Sequence, residues 1–161
     1  MAKLEKYQSY KSSWHPNVVE MVMTFDDDGG GAAGVYTVSC VIPAGSYIQD
    51  VQVHADTLWD SGTSATLIVG DADDDNGFYT GVNAKATDLV ANEVVRFDHD
   101  GGKLGAYITD DNGVMTQYSS SARTITAKMT TVGTASTAGV TRIVIIWAKP
   151  TDSVLSSYVA S

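Results

Sequence analysis

Short apolar stretches, many of them alternating with polar positions, dominate the hydrophobic pattern of this chain. Seven stretches are rich in Val, Ile, Thr and aromatic residues and are separated by Gly, Asp, Asn and Ser clusters, which is typical of β-strands joined by turns. They are NVVEMVMTF (17–25), GVYTVSCVI (34–42), YIQDVQVHADT (47–57), SATLIVG (64–70), NEVVRF (92–97), RTITAKMTTV (123–132) and TRIVIIWA (141–148). The pattern predicts an all-β protein built as an antiparallel β-sandwich or jelly roll. A helical turn is expected only in KATDLVANE (85–93).

Alternation within a stretch predicts which face of each strand is buried, because successive side chains of a strand point in opposite directions. In residues 47–57 the expected buried side carries Tyr47, Val51, Val53 and Ala55, and the expected polar side carries Asp50, Gln52, His54 and Asp56. In residues 141–148 both sides are apolar. We therefore expect that strand to be covered by the second sheet on one face and by a loop or another subunit on the other.

The two ends of the chain lack this pattern. Residues 1–16 are polar and aromatic without apolar periodicity, so they are predicted to form an extended N-terminal arm. Residues 17–161 are predicted to form one β-sandwich domain, since 161 residues are enough for a single core.

The charge of the chain limits the kinds of molecule that it is expected to bind. The net charge is −9; three lysines and one glutamate give the arm +2, which leaves −11 for the rest of the chain. An acidic body is unsuited to nucleic-acid phosphates or an anionic membrane, so neither is an expected partner. Cys40 is the only cysteine and cannot form an internal disulfide. Without a signal-peptide pattern or an apolar run of membrane-spanning length, the chain is expected to be made and folded in the cytoplasm.

The stretch TLIVGDADDDNGFYTG (66–81) raises the question of a metal site. Asp71, Asp73 and Asp75 have the spacing of an EF-hand calcium loop, but Asn76 fills the glycine position and Val82 the closing position. We reject the EF-hand interpretation. A looser calcium site on the three aspartates is the alternative, and a solvated turn capped by its own Asp and Asn side chains is favoured. No cofactor is predicted.

Groups suited to catalysis are few. His54 and Asp56 share one strand face and residues 98–100 read Asp-His-Asp, so a metal site would form only if the fold brought the two groups together. Cys40 lies in mid-strand, and neither a G-x-S-x-G motif nor a phosphate-binding loop is present. The sequence therefore predicts no enzyme.

Four aromatic residues lie near turns, namely Trp59, Tyr79, Tyr107 and Tyr118. Such rings serve either as stacking platforms for a carbohydrate or as plugs for the open ends of a β-sandwich. Together with the acidic turn, they define the alternative function for this chain, a carbohydrate- or calcium-dependent adhesion module of a tail fibre or secreted protein.

Residues 41–80 carry an ordered set of elements. They are an Ile42-Pro43-Ala44-Gly45 turn, a strand at Val51 to Ala55, Trp59, a hairpin over Gly62 to Asp71, and an Asp75-Asn76-Gly77-Phe78 turn. This order, over about a quarter of the chain, resembles structural proteins of tailed bacteriophages, including small capsid decoration (cement) proteins. In this chain Asn76 separates Asp75 from Gly77, so the resemblance supports a structural turn and carries over no metal role.

The resemblance implies a non-enzymatic virion protein of β-sandwich or jelly-roll fold, often trimeric, that binds the major capsid protein and stabilises the shell from its surface. The expected capsid-binding residues of the arm are Lys3, Lys6, Tyr7, Tyr10, Lys11 and Trp14. The expected homotrimer seam is Ile143, Ile145 and Trp147. A disordered arm and an ordinary central strand are the respective alternatives.

Overall fold

The computed structural model describes residues 16–27, 34–98, 103–108 and 118–149, and these ranges form nine strands and no helix. The strands are β1 (Asn17–Thr24), β2 (Val35–Ile42), β3 (Ser46–Thr57), β4 (Ser64–Gly70), β5 (Tyr79–Asn83), β6 (Val94–Val95), β7 (Tyr118–Ser119), β8 (Arg123–Val132) and β9 (Val140–Ala148). The all-β prediction is confirmed. The described residues contain no helix long and apolar enough to span a membrane.

Residues 85–93 form turns instead of the expected helical turn. Ala86 and Asn92 adopt φ angles of 66° and 68°. A right-handed helix cannot continue through residues in these left-handed conformations.

The strands form two antiparallel sheets. In the first sheet the order is β1-β9-β3-β6, and β7 also pairs with β3; in the second sheet the order is β2-β8-β4-β5. This arrangement confirms the antiparallel β-sandwich, while the jelly-roll topology stays a prediction. The first described strand begins at Asn17, and residues 1–15 lie outside the described ranges, so the division into an arm and a domain stays a prediction.

Apolar side chains from both sheets fill the space between them. The largest fully buried ones are Met23, Tyr36, Ile42, Ile48, Val51, Leu67, Phe78, Tyr79, Ile125, Met129, Ile143 and Ile145. Each such side chain contributes about 1.5–3 kcal/mol through removal from water, so this layer is the main source of stability.

A β-bulge in β3 changes the predicted faces of that strand. Val51, Val53 and Ala55 are buried as expected, but Tyr47 is exposed and its neighbour Ile48 is buried. The pairing with β9 shifts between Ile48 and Asp50. One extra residue reverses the faces on one side of a bulge, so the prediction for Tyr47 is wrong.

Candidate functional site

The acidic turn between β4 and β5 is held by its first aspartate. The Asp71 N–H donates to the Asp74 carbonyl at 2.9 Å, while the N–H groups of Asp73 and Asp74 donate to Asp71 Oδ1 at 3.0 and 3.2 Å. The chain passes so close to itself that a Cβ on Gly70 would lie 2.1 Å from the Asp74 oxygen. The favoured prediction, a turn capped by its own side chains, describes these contacts.

Asp71 also anchors the turn to two distant parts of the chain. Arg123 Nε, at the start of β8, donates to Asp71 Oδ2 at 2.6 Å, and the Tyr107 hydroxyl donates to Asp71 Oδ1 at 2.6 Å. The side chains of Arg123 and Asp71 are only 9% and 6% exposed. The Arg123 guanidinium lies 5.1 Å from the Phe78 ring centroid and 4.9 Å from that of Tyr107. A buried ion pair beneath two aromatic rings therefore closes this end of the sandwich.

The electrostatics of the site follow from this geometry. Burial by itself would raise the pKa of Asp71, but hydrogen bonds from Tyr107, Arg123 and the Asp74 backbone, together with the charge of Arg123, lower the pKa below its ordinary value. The pKa of Tyr107 is raised, first by burial and then by its hydrogen bond to Asp71. Asp71 is thus held ionised and Tyr107 protonated, which suits a structural contact.

The three aspartates of the proposed calcium site have different surroundings. Asp71 is buried against Arg123, Asp73 is exposed, and Asp75 forms an ion pair with Lys128 Nζ at 2.9 Å. Within the described ranges, no group of three or more His, Cys, Asp or Glu side chains is arranged to hold a metal ion. The looser calcium site stays a prediction that solution measurements can test.

A second group of charged residues lies on the outer face of the first sheet. Arg142 on β9 donates to Glu20 on β1 at 2.6 Å and to Asp56 on β3 at 2.7 Å, so it joins three neighbouring strands. Hydrogen bonds and charge from Asp56 and Glu20 raise the pKa of Arg142. Asp50, also on β3, accepts hydrogen bonds from Arg96 Nε at 3.0 Å and from the Phe97 N–H at 3.2 Å.

These contacts account for the residues of the hypothetical His/Asp metal site. His54 Nε2 lies 3.2 Å from Gln52 Oε1, and Asp56 is bound to Arg142. Asp98 is exposed and lies 3.9 Å from Arg96 Nε, while residues 99 and 100 fall outside the described ranges. The described groups are engaged in surface hydrogen bonds and ion pairs.

The turn aromatics mostly fill the sandwich. Trp59 is buried, packs edge-on against Tyr36 and donates its indole N–H to Thr141 Oγ1 at 2.9 Å. The buried Tyr79 donates to the Val51 carbonyl at 2.6 Å. Of the four candidates, Tyr118 is the exposed one, and its ring packs 4.8 Å from that of Tyr47. Trp59 and Tyr79 are therefore part of the core and present no ring face to a ligand.

A shallow open cleft lies beside the acidic turn. Its volume is about 250 Å³, and its lining includes Asp71, Asp73, Tyr107, Tyr118, Arg123 and Thr124. The charged groups at its base, Asp71 and Arg123, bind each other. The cleft offers no pair of converging groups free to act as acid and base among the described residues that line it.

Solved structures show where else this architecture occurs, although the chain matches no protein-family model and no curated protein sequence. A chain of the cyanophage Pam1 capsid asymmetric unit is 20% identical, with a TM-score of 0.50 over 84% of this chain and 86% of that one. This chain shares its fold with a phage capsid component. The likeness confirms, at the level of fold, the resemblance to phage virion proteins drawn from residues 41–80.

Two further capsid structures contain similar chains. One belongs to the capsid of Ralstonia phage GP4, with 15% identity and a TM-score of 0.49 over 85% of this chain and 86% of that one. The other belongs to the acid-stable capsid of Helicobacter pylori bacteriophage KHP30, with 13% identity and a TM-score of 0.48 over 81% and 86%.

The described structure includes the residues predicted for self-association but not those predicted for shell binding. The six arm residues, Lys3 to Trp14, lie outside the described ranges. Ile143 and Ile145 are fully buried between the two sheets of one chain, and Trp147 packs partly buried against the same core. The two isoleucines have no surface left to offer a second copy, so the trimer seam stays a prediction without their support.

The outer faces of the two sheets differ in a way that the sequence analysis did not identify. The first sheet carries three carboxylates, Glu20, Asp50 and Asp56. None of the four strands of the second sheet contains Asp or Glu, although the protein has 19 acidic residues. Its outward positions are mostly hydroxyl-bearing: Thr37, Ser39, Ser64, Thr66, Thr124, Thr126 and Thr130.

Proposed function

We propose that this protein is a non-enzymatic structural component of a bacteriophage virion, a head decoration (cement) protein that binds the major capsid protein and stabilises the shell from its surface. The observation that carries the proposal is the fold shared with a cyanophage capsid chain over 84% of the sequence. The ordered elements of residues 41–80 support the same class of protein independently of the whole-chain comparison.

The described chemistry supports a structural role. Two of the charged groups that line the cleft, Asp71 and Arg123, bind each other and secure a turn. Asp56 and Arg142 secure neighbouring strands in the same way. A stiff sandwich whose charged groups hold its own elements is suited to presenting surfaces to other proteins.

We assign shell binding to the N-terminal arm. Its three lysines give it a charge opposite to that of the acidic body, and Tyr7, Tyr10 and Trp14 provide the large contact areas that dominate protein interfaces. An arm that orders on the shell exchanges conformational entropy for many contacts. Synthesis in the host cytoplasm followed by addition to the capsid surface fits this assignment.

Deletion of residues 1–16 tests the arm. The remaining body should fold, because the first described strand begins at Asn17 and the core residues of the described ranges all lie beyond it. The truncated body should fail to co-sediment with parent-phage capsids prepared without this protein. The full chain should co-sediment with the same capsids. Glu5→Gln is the matched control, since it changes one charge of the same segment in the opposite direction and should bind at least as well. Undiminished binding by the truncated body would contradict the assignment.

Two measurements test the wider proposal. Mass spectrometry of purified virions should find the protein among the head components, and its absence would contradict a virion role.

Calcium titration by calorimetry separates the proposal from the adhesion-module alternative. An ion that binds only the folded state raises the melting temperature by mass action, so a large rise would favour that alternative. The trimeric state remains a prediction.

A further inference from the structure

The edge strand β2 differs from the other sheet edges of the described structure. Natural proteins protect edge strands with charges, proline, bulges or short length. β1 carries Glu20, β5 has Gly81 and an irregular pairing with β4, and β6 has two residues. β2 has eight residues, VYTVSCVI, with no charge, proline or glycine, and its pairing with β8 is regular throughout.

This strand is also open among the described elements. In the second sheet β2 pairs only with β8, so one side of its backbone has no partner strand within the described ranges. Its outward side chains Val35, Thr37, Ser39 and Val41 are all exposed, and Val41 is 65% exposed. A long, regular and uncharged edge of this kind is a template for another strand.

The sequence of β2 is self-complementary. Read in opposite directions about Val38, two copies of the strand place Val35 opposite Val41, Thr37 opposite Ser39, and Val38 opposite itself. Apolar side chains thus meet apolar ones and hydroxyls meet hydroxyls, which are favourable cross-strand pairs. A two-fold interface requires such self-complementarity, because each surface binds an identical one.

We propose that β2 pairs antiparallel with β2 of a second copy, about a two-fold axis through Val38. The pairing would join the two second sheets into one continuous sheet of eight strands, within the normal range for twisted sheets. This surface differs from the β9 seam and predicts a dimer instead of a trimer.

Charge favours a second copy as the occupant. Each chain carries −9, so two copies repel each other least where they meet through strands that contain no carboxylates. The strands of the second sheet contain no Asp or Glu, and the charge of Lys128, which is opposite Thr37 in the β2–β8 pairing, is balanced by Asp75. The same edge has no positive groups with which to attract an acidic partner.

The first experiment measures the oligomeric state of the full chain by sedimentation velocity over a range of concentrations. The wild-type protein should form dimers. Val41→Lys and Ser39→Lys should each weaken dimerisation about tenfold or more, because each substitution occurs twice in a two-fold interface. Val18→Lys is the matched control: Val18 is 63% exposed on the other long edge strand, and its replacement should leave the dimer unchanged. Circular dichroism checks that all three variants are folded.

The second experiment tests the register. Residues directly opposite in an antiparallel pair have Cα atoms about 4.5 or 5.5 Å apart, and both separations allow a disulfide. In a Cys40→Ser background, Val38→Cys should therefore form a cross-linked dimer under mild oxidation. Val22→Cys, on β1, should not cross-link.

The results that overturn the proposal are distinct. A monomer at all concentrations, a trimer, or a dimer that resists Val41→Lys and does not cross-link through Val38→Cys would each do so. In an antiparallel pair every second residue of β2 bonds to β8, so those amides are protected from hydrogen exchange in any case. Protection of the other β2 amides, which point away from β8, in a dilute monomer would also overturn the proposal, because a segment of the same chain would then cover the edge. None of these measurements involves capsids, so their failure is separate from failure of the virion proposal.

Discussion

Arg123 and Arg142 form similar ion pairs in different surroundings. Each arginine donates to a carboxylate at 2.6 Å. Arg123 is the first residue of β8, and Arg142 lies within β9. The Arg123 side chain is 9% exposed and lies beneath two aromatic rings, whereas Arg142 is 38% exposed on the outer face of the first sheet. The two pairs have the same chemistry, so that chemistry alone does not set how much each pair stabilises the fold. The contribution of each pair depends on how well water hydrates its charges once they are separated.

At Arg123 both charges have lost most of their water. The cost of removing that water is offset only while the two groups bind each other, so loss of one partner leaves the other charged and buried. At Arg142 water reaches all three charged groups, so Glu20 and Asp56 can be hydrated after the arginine is removed.

Arg123→Met should cause the largest loss of stability. The substitution keeps much of the apolar bulk beneath the rings but leaves the Asp71 carboxylate buried without its counter-ion, which typically costs about 3–5 kcal/mol. Urea unfolding followed by circular dichroism measures the change in the free energy of unfolding. A loss below about 1 kcal/mol, the value expected for an exposed pair, would show that the site is hydrated in solution.

Gly105→Ala should cause the next largest loss in the free energy of unfolding, because it disrupts the packing that keeps water from the Asp71 site. A Cβ at residue 105 would lie 2.1 Å from the Asn76 carbonyl oxygen, in the turn that Asp71 caps. Backbone atoms cannot move aside as a side chain would, so we expect a loss at the upper end of about 1–3 kcal/mol. Gly34→Ala is the matched control, since a Cβ at residue 34 would meet no described atom within 4 Å. Equal effects of the two substitutions would contradict this account.

Acid should weaken the Asp71 site selectively. The pKa of Asp71 is lowered in the folded state, so its contribution to stability is present above the unfolded pKa of about 3.9 and is lost as the pH falls through the folded pKa. We expect the free energy of unfolding to fall as the pH is lowered below about 4. Asp71→Asn should remove part of that dependence, and an unchanged pH profile would contradict the assigned role.

The fold was accessible from the sequence because its strands are marked by local features. Period-two alternation and Gly, Asp and Asn turns identified the strands and the buried side of most of β3. The bulge after Ile48 was not accessible, because no single residue there signals it. The doubly apolar strand β9 was expected to be covered on both faces. Ile143 and Ile145 are buried in the core, but Val144 and Ile146 on the other face are only half-buried, so a cover for that face stays a prediction.

The partners of Asp71 could not be predicted in the same way. Tyr107 and Arg123 are 36 and 52 residues away, and only the closure of the sandwich brings them to the turn. Local chemistry favoured a solvated turn that caps itself. The caps are present at Asp71, but its side chain is only 6% exposed and is paired with Arg123, so the solvated part of that prediction is wrong at Asp71. Arg123 stands at the first position of β8, a strand in which Lys128 is the one other charged residue, and this was the available signal of a buried partner.

Arg142→Met should have the smallest effect, and it uses the same substitution as at Arg123. The introduced side chain leaves Glu20 and Asp56 in contact with water, so the midpoint of urea unfolding should stay within experimental error of the wild-type value. The pKa of Arg142 is raised by its bonds to Asp56 and Glu20, but an arginine is protonated in both the folded and the unfolded state near neutral pH, so the shift gives stability no pH dependence there. If Arg142→Met proved as damaging as Arg123→Met, the outer face of the first sheet would have to be shielded from water in the full chain, and the contrast between the two arginines would fail.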